Sequence, residues 1–296
     1  MADPRPSRPA SSRAASSRPQ GASVDGLWSP RSSGIAPRDK SAPLAPNYNG
    51  EWSDGLAETA DGTPMVGCVP MADLGAVYQP IVDLATGKNF AFEVLARCRS
   101  PGLTNPALLF KRAAAERFAG ILGRTIRTKA AQKCRGIPMF LNVHPAELGD
   151  RWVVQPDDPM YQHDDDVYVE ITESVAFSHY NLCVSMLREI RNRGGVHLVV
   201  DDLGAGYSNL KRISDLEPAV VKLDRELIID LDQHKRARVL VRAVVRMCVD
   251  LGARVVAEGL ETWDEIRAVR DCGCHYGQGY ALGRPAPEPA DPIWKL

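Results

Sequence analysis

The sequence predicts an α/β fold: a closed, TIM-like (β/α)8 barrel with room for one antiparallel strand, behind a disordered N-terminal tail. Three observations carry this expectation. From Gly75 onward, short β-branched runs alternate with longer segments of helical periodicity, as βα units with a largely parallel sheet require. The alternation continues over roughly 220 residues without a change of composition, which favours one closed barrel over an open doubly wound sheet. No Gly-x-Gly-x-x-Gly turn follows the first run, so the dinucleotide-binding alternative lacks its signature.

Residues 1–70 are dominated by Pro, Ser, Ala, Gly and Arg, with apolar residues such as Val24, Leu27 and Trp28 too isolated to offset the entropy of ordering. They read as a disordered leader, and residues 71–296 as the folded domain. The eight strand candidates are 77–82, 90–95, 139–143, 167–171, 196–200, 219–223, 254–257 and 275–280. Between them, 106–117, 121–135, 178–193, 235–251 and 263–272 carry apolar residues at helical spacing. Gly194, Gly195 and Gly252 stand where helix C-terminal caps belong.

Composition excludes several function classes. The 36 basic and 37 acidic residues nearly cancel, removing the positive field expected of a protein that coats DNA or RNA polymer. The most apolar stretch, around 239–257, is interrupted by Arg242, Arg246, Asp250 and Arg254, so no membrane span is expected. Seven scattered cysteines do not form a secreted disulfide framework, and a reducing cytoplasm is the expected location. Cys272, Cys274 and His275 sit at a helix-to-strand junction without a second ligand cluster, and read as core and turn residues. Asp164 to Asp166 read as a solvated turn, and neither His179 nor His197 has an evident carboxylate partner.

The most informative pattern is that nearly every strand candidate is apolar along its length and ends in one polar group. Glu93, Asn142, Glu170, the pair Asp201 and Asp202, Lys222 and Glu258 occupy successive strands, and Gln278 lies in the last. In a parallel barrel these ends open on one face, so residues distant in sequence converge. A single such residue would simply meet water. The carboxylates of Glu93, Glu170, Asp201, Asp202 and Glu258 together would repel one another unless cations neutralise them. Carboxylate and amide oxygens without histidine select hard ions such as Mg²⁺ or Mn²⁺, and so many carboxylates exceed what one Mg²⁺ takes from protein. A pair of ions is the expectation, and paired metals suit in-line phosphoryl displacement. Cations beside Lys222 would lower its pKa, making it the candidate base for the attacking water.

Spaced motifs across the chain resemble the EAL family of bacterial cyclic-di-GMP phosphodiesterases. Tyr-Gln-Pro-Ile at 78–81 is similar to the family's opening strand, and Glu-Val-Leu-Ala-Arg at 93–97 to its signature Glu-Ala-Leu-x-Arg. Phe-Leu-Asn-Val-His-Pro at 140–145, Glu-Ile-Thr-Glu at 170–173, the stretch from Asp201 to Leu210, Lys-Leu-Asp-Arg at 222–225, Ala-Glu-Gly-Leu-Glu-Thr at 257–262 and Gln-Gly-Tyr at 278–280 follow in order. The resemblance implies a (β/α)8 barrel of the EAL type and hydrolysis of cyclic-di-GMP to linear pGpG. It implies that Glu93, Asn142, Glu170 and Asp201 hold one metal, that Asp201, Asp202 and Glu258 hold a second, and that Lys222 is the base. It further implies that Glu173 anchors the loop after the fifth strand, that Glu261 and Gln278 support the metal and water network, and that Gln79, Leu95, Arg97 and Gln278 face the dinucleotide.

A homodimer is the implied assembly. Val94 stands for the signature alanine and Leu203 for a loop phenylalanine, and the stretch from Arg97 to Asn142 is short for the family. The rival expectation is a catalytically silent receptor that binds the same nucleotide and acts through protein partners.

Overall fold

A computed structural model describes residues 62–149, 152–172, 180–192, 194–204 and 210–295. Eight strands close into a barrel in chain order: β1 (Leu74–Asp83), β2 (Asn89–Cys98), β3 (Met139–Asn142), β4 (Val167–Thr172), β5 (Val196–Leu203), β6 (Val220–Leu223), β7 (Arg254–Ala257) and β8 (Tyr276–Gly277). Helices α1 (Pro106–Ala115), α2 (Ala119–Lys133), α3 (Pro145–Gly149), α4 (Tyr180–Asn192), α5 (Leu210–Leu216), α6 (Arg225–Ile228), α7 (Lys235–Asp250) and α8 (Trp263–Asp271) connect them. No helix among the described residues is long and apolar enough to cross a membrane.

The antiparallel strand is β1, which pairs antiparallel with both β2 and β8 while all other pairs are parallel. Its direction follows from chain length. Only residues 84–88 separate β1 from β2, too few for the crossover that a parallel pair needs, so the connection is a hairpin. Every predicted strand and long helix corresponds to an observed one, but β8 is cut to Tyr276–Gly277 and Gln278 stands beyond it. The leader through residue 61 lies outside the described residues. Residues 66–69, read from sequence as its end, instead pack into the core: Val66 and Val69 are buried, and the Val66 N–H donates to Glu116 Oε2 at 2.7 Å.

Two apolar clusters frame the barrel. The larger fills the space between strands and helices, with Leu109, Leu122, Leu187, Ile190, Val241 and Ile266 among its members. The smaller lies inside the barrel and consists of Ile81, Ala91, Phe140, Tyr168, Val199, Val220, Val256 and Tyr276. Phe140 stacks on Tyr168 at 4.4 Å between centroids, and the partly buried Phe90 packs against the cluster by stacking on Tyr276 at 3.9 Å.

These interior residues fix where the polar groups go. Side chains two apart on a strand share a face. Ala91, Phe140, Tyr168, Val199, Val220, Val256 and Tyr276 each precede by two residues Glu93, Asn142, Glu170, Asp201, Lys222, Glu258 and Gln278 respectively. In β1, which runs the other way, Ile81 instead follows Gln79. An apolar floor therefore carries a polar layer directly above it, one layer nearer the mouth.

Phe140 is fully buried in that floor. Phe140→Ala should lower the unfolding free energy by about 3–5 kcal/mol through lost contacts and a cavity, measured by urea titration. A loss below about 1 kcal/mol would show that the interior repacks freely and does not act as a floor.

Candidate active site

The polar layer is organised around Lys222, whose side chain is 1% exposed. Its Nζ lies 2.7 Å from Glu170 Oε1, 2.7 Å from Glu258 Oε1, 3.2 Å from Asp201 Oδ1 and 3.7 Å from Glu93 Oε1. One ammonium thus sits among four carboxylates supplied by β2, β4, β5 and the end of β7. Glu93 is held from two further sides. Asn142 Nδ2 donates to its Oε1 at 3.1 Å, and Gln278 Nε2 to its Oε2 at 2.6 Å. Gln278 Nε2 also reaches Gln79 Oε1 at 3.3 Å, and Gln79 Nε2 donates to the Gly283 carbonyl at 3.1 Å.

Asp201 and Asp202 are consecutive, so a regular strand would send them to opposite faces. Here β5 loses its regular register against β6 between Val200 and Leu203, and Asp202 adopts φ +57°. Aspartate tolerates that left-handed geometry better than most residues. This bulge brings both carboxylates to one side, where Asp201, Asp202 and Glu258 each offer an oxygen within 4.8 Å of the others.

The remaining predicted residues surround this centre. Leu95 and Arg97 line a cavity of about 450 Å³ together with Glu93, Asn142, Phe110 and His144. Gln79, Glu258, Glu261, Gln278 and Tyr280 line a second, of about 330 Å³, with Glu93 shared between the two. Glu261 does not join the carboxylate cluster around Lys222. It is half-exposed and pairs with Arg225 at 3.1 Å, while its own N–H donates to Glu265 in the capping box that starts α8. Glu173 lies outside the described residues, as does His179. Leu203 is buried and pairs with Leu223, so the aliphatic side chain belongs to the outer core.

One expectation is corrected. His197 has a carboxylate partner after all, with Nε2 3.1 Å from Asp166 Oδ1, because parallel pairing sets β5 beside the start of β4. The lowered pKa expected of Lys222 presupposed bound cations. In the ring alone, burial would lower it, but the carboxylates of Glu170, Glu258, Glu93 and Asp201 hold it well above the usual lysine value.

The acids respond to the same crowding. Burial pushes Glu258 up to about 8; Lys222 pulls it down, and Asp201 and Glu93 add to the rise. Burial likewise raises Glu170 well above the carboxylate range despite its contact with Lys222. For Glu93 burial is outweighed by Lys222 and by the hydrogen bonds from Gln278 and Asn142, which hold it below its ordinary value. One ammonium cannot neutralise so many carboxylates in a site shielded from water. Glu170 Oε2 and Gln278 Oε1 are moreover buried without a hydrogen-bond partner among the described residues. Surplus negative charge, orphaned oxygen atoms and an all-oxygen donor set fit hard divalent cations.

A family model described as EAL domain matches residues 72–285, and the chain belongs to the EAL-domain family. It is 35% identical over 222 residues to the cyclic di-GMP phosphodiesterase PA2567 of Pseudomonas aeruginosa, covering 71% of this chain and 38% of that protein. It is 30% identical over 246 residues to the cyclic di-GMP phosphodiesterase RocR of the same species, covering 79% and 62%. The solved structure of Klebsiella pneumoniae BlrP1 with calcium and cyclic-di-GMP superposes with TM-score 0.66 at 30% identity, covering 75% of this chain and 58% of that one. The chain spans about a third of the length of several curated relatives it matches.

The raised acids set a pH dependence. In the ion-free protein the folded state keeps protons on Glu258 and Glu170 that the unfolded chain has released, so their contribution is full below 4.5 and is lost as pH rises, towards 8 in the case of Glu258. The lowered Glu93 acts oppositely, but only below 4.5. Thermal unfolding of metal-stripped protein should show Tm falling between about pH 5 and pH 8.5, with a shallower slope in Glu258→Gln. Parallel slopes in the two proteins would contradict the assignment.

Proposed function

We propose that this chain is a metal-dependent phosphodiesterase that hydrolyses cyclic-di-GMP to linear pGpG with two divalent ions, Mg²⁺ or Mn²⁺. The observation that carries the reading is the convergence of Glu93, Asn142, Glu170, Asp201, Asp202 and Glu258 around Lys222, at a mouth flanked by two cavities. Family membership and relatives named for this activity support it.

Glu93, Asn142, Glu170 and Asp201 form one ligand set, and Asp201, Asp202 and Glu258 the other. When bound, the ions supply charge stabilisation at the phosphoryl oxygens and acidify a water. The protein's own groups do the rest. Asp201 belongs to both sets and so fixes their spacing. Lys222, already in contact with Glu170 and Glu258, is the group that takes the proton of the attacking water once the carboxylates are shared with cations and no longer hold its ammonium so strongly.

Leu95 and Arg97 face one half of the dinucleotide from the larger cavity, and Gln79 and Gln278 the other half from the smaller. Glu261, fixed by Arg225, borders the second cavity and supports the water network from its rim. The exposed apolar residues Val239 and Leu240 on α7 suit a homodimer contact. Six cysteines free of disulfides among the described residues suit a cytoplasmic location.

Purified protein incubated with cyclic-di-GMP and Mn²⁺ should yield linear pGpG by anion-exchange chromatography. Glu93→Ala and Lys222→Ala should each lower kcat by about 10²-fold or more. Nucleotide binding with no product would favour a silent receptor, and neither binding nor product would reject the proposal.

A further inference from the structure

In the wall of the larger cavity, which Arg127 and Gly123 help to line, lies a buried ion cluster that plays no part in the chemistry described so far. The Arg127 side chain, 2% exposed and on α2, is the largest among the fully buried residues. Its Nη1 donates to Glu147 Oε2 at 2.6 Å, while Nε and Nη2 donate to Asp158 at 2.9 Å and 2.7 Å. Glu147 in turn grips the turn between β3 and α3. Its Oε1 accepts from the His144 N–H at 3.0 Å, and its own N–H donates to the His144 carbonyl at 2.8 Å. The His144 ring stacks on Phe110 of α1, at 5.9 Å and 15°.

We infer that Arg127, acting through Glu147, is a positioning residue that sets where Asn142 presents its side chain and where the His144 wall of the cavity stands. Asn142 is the one exposed side chain in the ring, so packing does little to hold it. Its strand ends there, and the next backbone anchor is the single bond from the Val143 N–H to the Glu170 carbonyl at 3.2 Å. Two residues further on, Glu147 fixes His144 from both its N–H and its carbonyl.

A buried ion pair adds little stability over apolar side chains of the same volume, so its distinctive product is direction. The guanidinium has a rigid fork of donors, and here each of its three nitrogens donates to one of two carboxylates. The sequence of α2 is adapted to it as well. A Cβ on Gly123 would lie 2.0 Å from Glu147 Oε2, so the helix carries glycine where the carboxylate rests against it.

The inference rests on the reading of Asn142 as a metal ligand, and the test separates the two. Direct Mn²⁺ binding is read by the loss of the free-ion electron paramagnetic resonance signal, in wild type, Glu147→Gln, Gly123→Ala, Asn142→Ala and the double variant Glu147→Gln with Asn142→Ala. Val241→Ala, on the buried face of α7, serves as a control for general destabilisation.

Glu147→Gln and Gly123→Ala should each weaken Mn²⁺ binding by about 10-fold or more, the range for groups that orient ligands. Val241→Ala should leave it unchanged. Gly123→Ala is the sharper variant, because alanine favours a helix over glycine and removes no charge. The double variant should bind no more weakly than Asn142→Ala alone, since both changes act on one group. Wild-type affinity in Glu147→Gln and Gly123→Ala, an equal loss in Val241→Ala, or additive losses in the double variant would overturn the inference. A wild-type protein that takes up no Mn²⁺, or an Asn142→Ala protein that binds it normally, would instead refute the ligand assignment on which it stands.

Discussion

Everything at the mouth of this barrel depends on the crowding of acidic side chains around one ammonium. Lys222 touches Glu170 and Glu258 at 2.7 Å and reaches Asp201 and Glu93 within 3.7 Å, above a largely apolar floor of Phe140, Tyr168, Val199, Val220 and Val256 that supplies no further charge to share the load. Such a cluster is unfavourable by itself, since burial penalises each charge and the carboxylates repel one another. In the ion-free protein, protons on Glu258 and Glu170 relieve the repulsion. Divalent cations offer the alternative relief, which is the physical link between the fold and the proposed chemistry. The same floor makes the arrangement rigid, because stacked rings leave the strand ends little freedom to splay apart.

Much of this was legible in the sequence because strand period and strand ends are local properties. The β-branched runs located all eight strands, and the polar residue closing each run named the ring. One useful signal went unread: an apolar residue two positions before each polar one, such as Phe140 before Asn142 or Tyr168 before Glu170, marks the inner face as well as the end. The short 84–88 connection similarly specifies an antiparallel β1.

Other features rest on tertiary geometry that no local pattern encodes. The bulge that turns Asp202 beside Asp201 depends on how β5 meets β6. The pairing of Glu261 with Arg225, of His197 with Asp166, and of Arg127 with Glu147 and Asp158 joins residues 20 or more positions apart, on elements brought together only by barrel closure. The pKa of Lys222 is likewise beyond any local pattern. Its sign depends on whether carboxylates or cations dominate its surroundings, and a sequence lists both candidates without saying which is present. The short turn of helix at α3 was also missed, although it carries Glu147, because a segment of that length has no periodicity to detect.

The most direct test of the central claim is anomalous diffraction from crystals soaked in Mn²⁺. The account predicts two manganese peaks at the barrel mouth, one among Glu93, Asn142, Glu170 and Asp201 and one among Asp201, Asp202 and Glu258. Diffraction showing the carboxylate ring intact around Lys222 and free of manganese at saturating concentration would contradict it.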